Sequence, residues 1–328
     1  MKYVFILIGI VILSNCGCTS KYIADRNLVE DPRFENWFNI RGLGGDVDDG
    51  KNQAVFPSSE LNIGRPSWTI AQWGTRYNFA DPAVTTKKQL SKHSFQMKNR
   101  SKSFTVNSST GELEMGLFAS TCYEKQRAER APWPHLLIST PITDVRIPSG
   151  FCTVENIKKL RLQIDSKLLS FNDSQINPDL HSARFSIRII IQNLTKDDDG
   201  YGDMLWFNIP IFDNRCELPA ETFGTDADNA DASAKFNFNM AHTSVRPASS
   251  TFFKDDKVEA GEESGVIPTR VDLIPWVHYA FQLARKKGFF KTTSFRDLYI
   301  SHISIGWEID GAYDGVMKVS NLSLMAEY

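Results

Sequence analysis

The sequence predicts a mainly β protein: an antiparallel sandwich or jelly roll with one packed α-helix and long loops. Three observations carry this expectation. Several segments alternate apolar and polar residues with period two, the mark of a strand that buries one face. Only one segment carries a helical apolar stripe. Between the alternating segments lie stretches rich in Gly, Asp and Ser, which favour turns and loops. The 328 residues, 41% hydrophobic and 12% aromatic, suffice for a large core.

The N-terminus reads as a targeting segment rather than as fold. Met1-Lys2 precedes an apolar run from Tyr3 to Leu13, and Ser14-Asn15-Cys16-Gly17-Cys18 follows. A run this short matches a signal peptide better than a membrane-spanning helix. Leu13-Ser14-Asn15-Cys16 resembles a bacterial lipoprotein signal, which implies acylation at Cys16, with Cys18 as a second candidate. Plain secretion is the alternative. Either route puts the mature chain outside the cytoplasm, touching a membrane only through an N-terminal lipid if at all. The expected organisation is a signal at 1–18, a polar tether at 19–33 and a single β-sandwich domain at 34–328.

Next come loops and the first strands. Asp46-Val-Asp-Asp-Gly50 offers oxygen atoms suited to calcium but lacks the bidentate Glu of an EF-hand, so a solvated turn is the simpler reading. Ser67 to Tyr77 is unusually aromatic, with Trp68, Trp73 and Tyr77. Lys98 to Phe118 holds strand-like pieces around a turn at Asn107–Gly111. Leu160, Leu162 and Ile164 alternate with Arg161, Gln163 and Asp165. Phe185, Ile187, Ile189 and Ile191 alternate with Arg184, Ser186 and Arg188 in the next strong strand. Met204 to Ile211 is another, which Pro210 should end or place at an edge. From Asp213 to Gly265 the chain turns acidic and rich in small residues, and long surface loops are expected. Asp226, Asp228 and Asp231 in that stretch are a second weak calcium candidate.

The one helix should begin near Asp272, a capping residue, with Pro275 in its first turn. Trp276, Val277, Ala280, Phe281 and Ala284 form its stripe, and Gly288 can end it. Two strands around Leu298 and Val316 close the chain. In the first, Tyr299, Ile303, Ile305, Trp307 and Ile309 share one face, and His302, Ser304, Gly306, Glu308 and Asp310 the other.

Composition narrows the function classes. The formal net charge is −2 and the pI about 6.3, so nothing favours nucleic acid or an anionic membrane surface. No Cys/His spacing suggests zinc, and no GxGxxG, P-loop, GxSxG or HExxH motif occurs. No cofactor is expected. Cys122, Cys152 and Cys216 remain in the body of the chain, where a Cys122–Cys152 bridge is one pairing among others.

Chemistry is sought in carboxyls and aromatic rings. A carboxyl beside Trp307 and partly desolvated would hold its proton longer, as a general acid must, which singles out Glu308. Asp203 and Asp213 flank the aromatic strand around Trp206 and are candidate partner carboxyls, since glycoside hydrolysis needs two. His302 shares the Glu308 face and could orient it or act as a base, with a satisfied structural histidine as the alternative. Arg215 follows Asp213 and could pair with it or touch substrate. Trp68, Trp73, Trp206 and Trp307 are candidate platforms for sugar stacking, with core packing the alternative for each.

Asp203-Met-Leu-Trp206 and Ile305-Gly-Trp-Glu308 together resemble the two signature strands of family 12 endoglucanases. That resemblance implies a concanavalin A-like jelly roll and a polysaccharide ligand, and makes Glu308 the acid. The first motif departs from the family pattern: Gly202 stands where the nucleophilic carboxylate belongs, and Asp203 has the opposite strand parity to Trp206. Three readings follow. The chain binds polysaccharide on a concave sheet face outside the cytoplasm, or cleaves it, or serves as a structural envelope protein without a small ligand.

Overall fold

The computed structural model describes residues 25–43, 52–57, 65–123, 132–143, 152–173, 181–216, 218–226, 233–240 and 265–328. The signal segment with Cys16 and Cys18, the Asp46–Gly50 turn, Asp228 and Asp231 lie outside the described residues. The strands in chain order are β1 (Arg26–Asn27), β2 (Phe38–Arg41), β3 (Asn52–Phe56), β4 (Trp68–Trp73), β5 (Thr86–Ser91), β6 (Ser94–Lys98), β7 (Lys102–Asn107), β8 (Glu112–Phe118), β9 (His135–Pro141), β10 (Cys152–Thr153), β11 (Lys159–Asp173), β12 (Ala183–Asn193), β13 (Met204–Asp213), β14 (Thr222–Asp226), β15 (Ser233–Asn237) and β16 (Ile267–Asp272). Helix α1 (Ile274–Lys286) follows, then β17 (Leu298–Ile309) and β18 (Tyr313–Glu327).

They form two sheets. The eight-stranded sheet runs β16-β11-β18-β8-β7-β6-β5, with β1 on β18. The ten-stranded sheet runs β14-β15-β13-β12-β17-β9-β4-β2-β3, with β10 on β17. Pairing is antiparallel except for β13 with β15 and β2 with β4. The protein is a β-sandwich, as the alternation predicts, because each strong strand buries its apolar parity against the facing sheet. Phe38 of the large sheet meets Phe104 of the small one edge-on at 4.9 Å, and Phe212 meets Phe171 at 5.2 Å. Each such ring taken out of water stabilises the fold by about 1.5–3 kcal/mol. Helix α1 lays its stripe on the β15 end of the large sheet, where Trp276 meets Phe238 at 5.1 Å and Tyr279 meets Phe236 at 5.9 Å. No helix among the described residues is long and apolar enough to cross a membrane.

Several expectations shift. Within the span read as tether, Arg26–Asn27 pairs with β18, and Leu28 and Val29 are buried. Pro210 does not end its strand. β13 continues to Asp213 through a bulge opposite Phe185 and Ser186, and the missing N–H falls beyond Asn208, where the pairing with β15 stops. β14 and β15 sit inside the stretch read as loops, paired with each other and β15 with β13, with Ala234 and Phe236 buried in the core. Asp272 stands one residue outside the helix cap, and its carboxylate accepts from Ile274 N and Leu160 N, tying α1 to β11. Cys122 and Cys152 are not joined; the Cys152 thiol lies 3.3 Å from the Tyr328 hydroxyl.

The β17 parity needs one correction. Ser301 is an extra residue between Ile300, opposite Ile191, and His302, opposite Ile190. A single inserted residue flips everything on one side of it. Leu298 and Ile300 therefore join the core, and Tyr299 leaves the Ile303 face.

Candidate functional site

The outer face of the ten-stranded sheet carries a row of charged and aromatic side chains at one level across five adjacent strands. Asp213 of β13 is opposite Arg184 of β12, Arg184 opposite Glu308 of β17, Glu308 opposite His135 of β9, and His135 opposite Trp73 of β4. With strands ~4.8 Å apart, four steps make a row of roughly 19 Å.

Glu308 is the centre of the row. Its Oε2 lies 2.6 Å from Arg188 Nη2 and its Oε1 3.2 Å from His135 Nε2. Burial pushes its carboxyl up, but the charge of Arg188, the hydrogen bond and charge of His135, and the charge of Arg184 outweigh that and hold it well below its ordinary 4.5. Glu308 is therefore an anion at neutral pH, not the protonated acid that a place beside Trp307 suggests. The error has a plain source. Trp307 points into the core, on the opposite side of the strand, so it desolvates nothing at the carboxylate.

His135 is fixed on both sides. Its Nδ1 lies 2.9 Å from the Trp133 carbonyl while Nε2 faces Glu308. The ring is thus held between a backbone carbonyl and the Glu308 carboxylate. Trp73 stacks on it with centroids 4.2 Å apart and planes at 19°. Gly306 makes the approach of β9 feasible. Its φ is +149°, and a Cβ there would stand 2.2 Å from the Leu136 carbonyl oxygen.

The other sequence-derived candidates scatter. Asp213 belongs to the row, but Arg184 stands between it and Glu308, and Arg215 forks it with Nε at 3.0 Å and Nη2 at 2.8 Å. Asp203 accepts from Thr293 Oγ1 at 2.6 Å, ten residues before Asp213 on β13 and thus roughly 30 Å along the strand. It is no partner for Glu308. His302 lies six residues before Glu308, roughly 20 Å away, and cannot orient it. Burial, then the charge of Arg41, lowers the His302 pKa.

The four tryptophans divide evenly. Trp68 and Trp307 have no exposed surface and donate to the Asp31 and Met115 carbonyls, both at 2.9 Å. Neither can stack a sugar. Trp73 and Trp206 are partly exposed, one at the end of the charged row and the other on β13 opposite Ile190, where its Nε1 donates to Ser233 Oγ at 3.1 Å. Arg188, Arg184 and His135 were not among the candidates. The two arginines alternate with isoleucines on β12, so two cations on one face of a strong strand were visible. His135 carries no such signal.

No family model matches the sequence, and no curated protein matches it. Solved structures similar to this chain include a family 12 xyloglucanase from Bacillus licheniformis, 13% identical, with a TM-score of 0.42, covering 74% of this chain and 100% of that one. They include an endoglucanase from Rhodothermus marinus, 9% identical, TM-score 0.36, covering 74% and 97%, and a family 11 xylanase from Neocallimastix patriciarum, 10% identical, TM-score 0.36, covering 78% and 99%. At these scores the likeness carries no conclusion about what this chain binds or does.

Proposed function

We propose that this protein binds a polysaccharide along the outer face of its ten-stranded sheet and does not cleave it. What supports the reading is Glu308, fixed as an anion between Arg188 and His135 in a row that ends on the partly exposed ring of Trp73. An aromatic platform beside ordered polar groups suits a sugar, whose C–H face packs on a ring while its hydroxyls meet donors and acceptors. Cleavage needs one carboxyl that holds a proton and a second about 5–9 Å away. Glu308 holds none, and Asp213, the described carboxylate of the same row, is taken by Arg215. In this reading the Tyr3–Leu13 run and Cys16 export the chain and anchor it to the cell envelope by lipid.

The test is binding of soluble polysaccharides by affinity electrophoresis together with reducing-sugar release. Binding without release is expected, weakened about two- to tenfold by Trp73→Ala, since a stacked ring contributes on the order of 0.5–1.5 kcal/mol. Release that disappears in Glu308→Gln would establish a hydrolase instead. Failure to retain any polysaccharide in a broad panel would leave the structural reading.

A further inference from the structure

Arg184, Ser186 and Arg188 are alternate residues of β12, so they share its outer face. Each keeps a buried polar atom without a hydrogen-bond partner: Arg184 Nε, Ser186 Oγ and Arg188 Nη1. Asn208 Oδ1, on the residue opposite Arg188, is a fourth. Arg188 itself is only 4% exposed. Buried polar groups in native proteins are nearly always paired, and leaving one unpaired costs about 1–3 kcal/mol. Four such atoms side by side on the proposed binding face mark a place where a ligand completes the hydrogen bonding.

The identity of the atoms selects the ligand. Guanidinium nitrogens only donate, so the partner of Arg184 and Arg188 must present acceptors, and an anionic acceptor roughly doubles the strength of each bond. The charge balance agrees. Arg184 and Arg188 face the single carboxylate of Glu308, while Asp213 is spent on Arg215. Glu308 also uses Arg188 poorly: the 2.6 Å contact is an ion pair without hydrogen-bond alignment, which leaves the fork available. Arg184 and Glu308 are only partly buried, so the row reaches solvent at their end.

We propose that the saccharide bound here is anionic, and that its carboxylate or sulfate is received by Arg184 and Arg188 on β12, with Ser186 and Asn208 meeting neighbouring hydroxyls. This rests on the polysaccharide-binding reading above. Binding of the full-length chain is compared for polygalacturonate and its fully methyl-esterified form, and for dextran sulfate and dextran. Within each pair the sugar backbone is the same and the anionic group is present in one member and absent from the other. At least one charged member should bind about tenfold more tightly than its neutral partner, with affinity falling as salt rises. A preference confined to one pair identifies the anion as carboxylate or sulfate.

Arg184→Gln, on a partly exposed residue, should remove most of that preference. Arg188→Lys, which keeps the charge but loses the fork, should reduce it. Glu308→Gln should increase it by removing the competing anion. Circular dichroism confirms the fold of each variant. Equal affinity within both pairs overturns the anionic assignment and leaves polysaccharide binding standing. A preference indifferent to Arg184→Gln and Arg188→Lys overturns the placement on β12. No binding of any of the four, with retention of another polysaccharide from the broad panel, overturns the anionic assignment alone; no retention across the whole panel overturns both readings.

Discussion

Arg188 reaches Glu308 across a diagonal: its Nη2 lies 2.6 Å from the carboxylate although its cross-strand partner is Ser304, four residues earlier on β17. The arginine side chain thus runs along the sheet, with Ser186 and Gly306 the pair in between. A long side chain held in one extended rotamer loses entropy, so the pair must be over-determined by its surroundings. His135 provides that from the other side, clamped by Trp133 and capped by Trp73.

Breaking that pair from one side should be costly. Arg188→Met leaves Glu308 charged and mostly buried, with a side-chain exposure of 16%, and should destabilise the fold by about 3 kcal/mol. The double variant Arg188→Met/Glu308→Leu removes both charges and should cost less than the single one. Urea unfolding of the four forms gives the coupling, and additive costs would show that the two charges do not act together. The same pair sets an acid limit. Because the Glu308 carboxyl titrates lower in the folded chain than in the unfolded one, its stabilisation is present above 4.5 and lost as pH falls through the folded value. Glu308→Gln should flatten the stability curve below pH 4.5, and an unchanged slope there would contradict the assignment.

Gly306 and Gly224 should respond differently to alanine. Gly306 combines a φ of +149° with a Leu136 carbonyl oxygen 2.2 Å from any added Cβ, and backbone cannot step aside as a side-chain tip can. Gly224 has ordinary φ and nothing within 4 Å. Gly306→Ala should lower stability by at least ~3 kcal/mol or prevent folding, whereas Gly224→Ala should lie within ~0.5 kcal/mol of the native chain. Thermal melting of the pair is the measurement. Equal melting temperatures would mean that β9 can retreat from β17 without loss.

The alternation that predicts the sandwich also contained half of the site. Arg184 and Arg188 sit among isoleucines, and Glu308 sits in an alternating strand, so each could be assigned to an outer face from sequence alone. Their contact could not, because it joins strands far apart in the chain through a side chain lying off register. Trp307 illustrates the limit from the other side. Periodicity separates two faces of β17 but does not make a ring on one face a neighbour of a carboxylate on the other. The inserted Ser301 was invisible for a related reason: a bulge is fixed by the partner strand, here the step from Ile190 to Ile191, and leaves no local mark. Strand β15 is legible only through β13, whose backbone groups it satisfies, and β14 only through β15.

Lys102 gives a pH effect of the same sign as that of Glu308, but in an alkaline window and from burial rather than from ion pairing. It belongs to the inward parity of β7 with Phe104 and Val106, and none of it is exposed. Its ammonium donates to Thr75 Oγ1 at 2.5 Å and to the Tyr77 carbonyl, 5.3 Å from the centre of the Phe79 ring. These contacts tie the chain after β4 to the small sheet. Burial pushes its pKa down from 10.5 to about 7, against a small upward pull from Cys122. Between those values the unfolded chain carries a proton that the folded one has shed, so stability rises with pH across this window. A fully uncompensated single group gives a slope of about 1.4 kcal/mol per pH unit. In Lys102→Met that component disappears, while the orphaned Thr75 hydroxyl and Tyr77 carbonyl lower stability at every pH. The slope and not the absolute stability is therefore the readout. Urea unfolding at intervals from pH 7 to 10 should show the native chain gaining stability relative to Lys102→Met. Parallel curves would mean that Lys102 keeps its proton in the fold and that Thr75 and Tyr77 offset the whole cost of burying it.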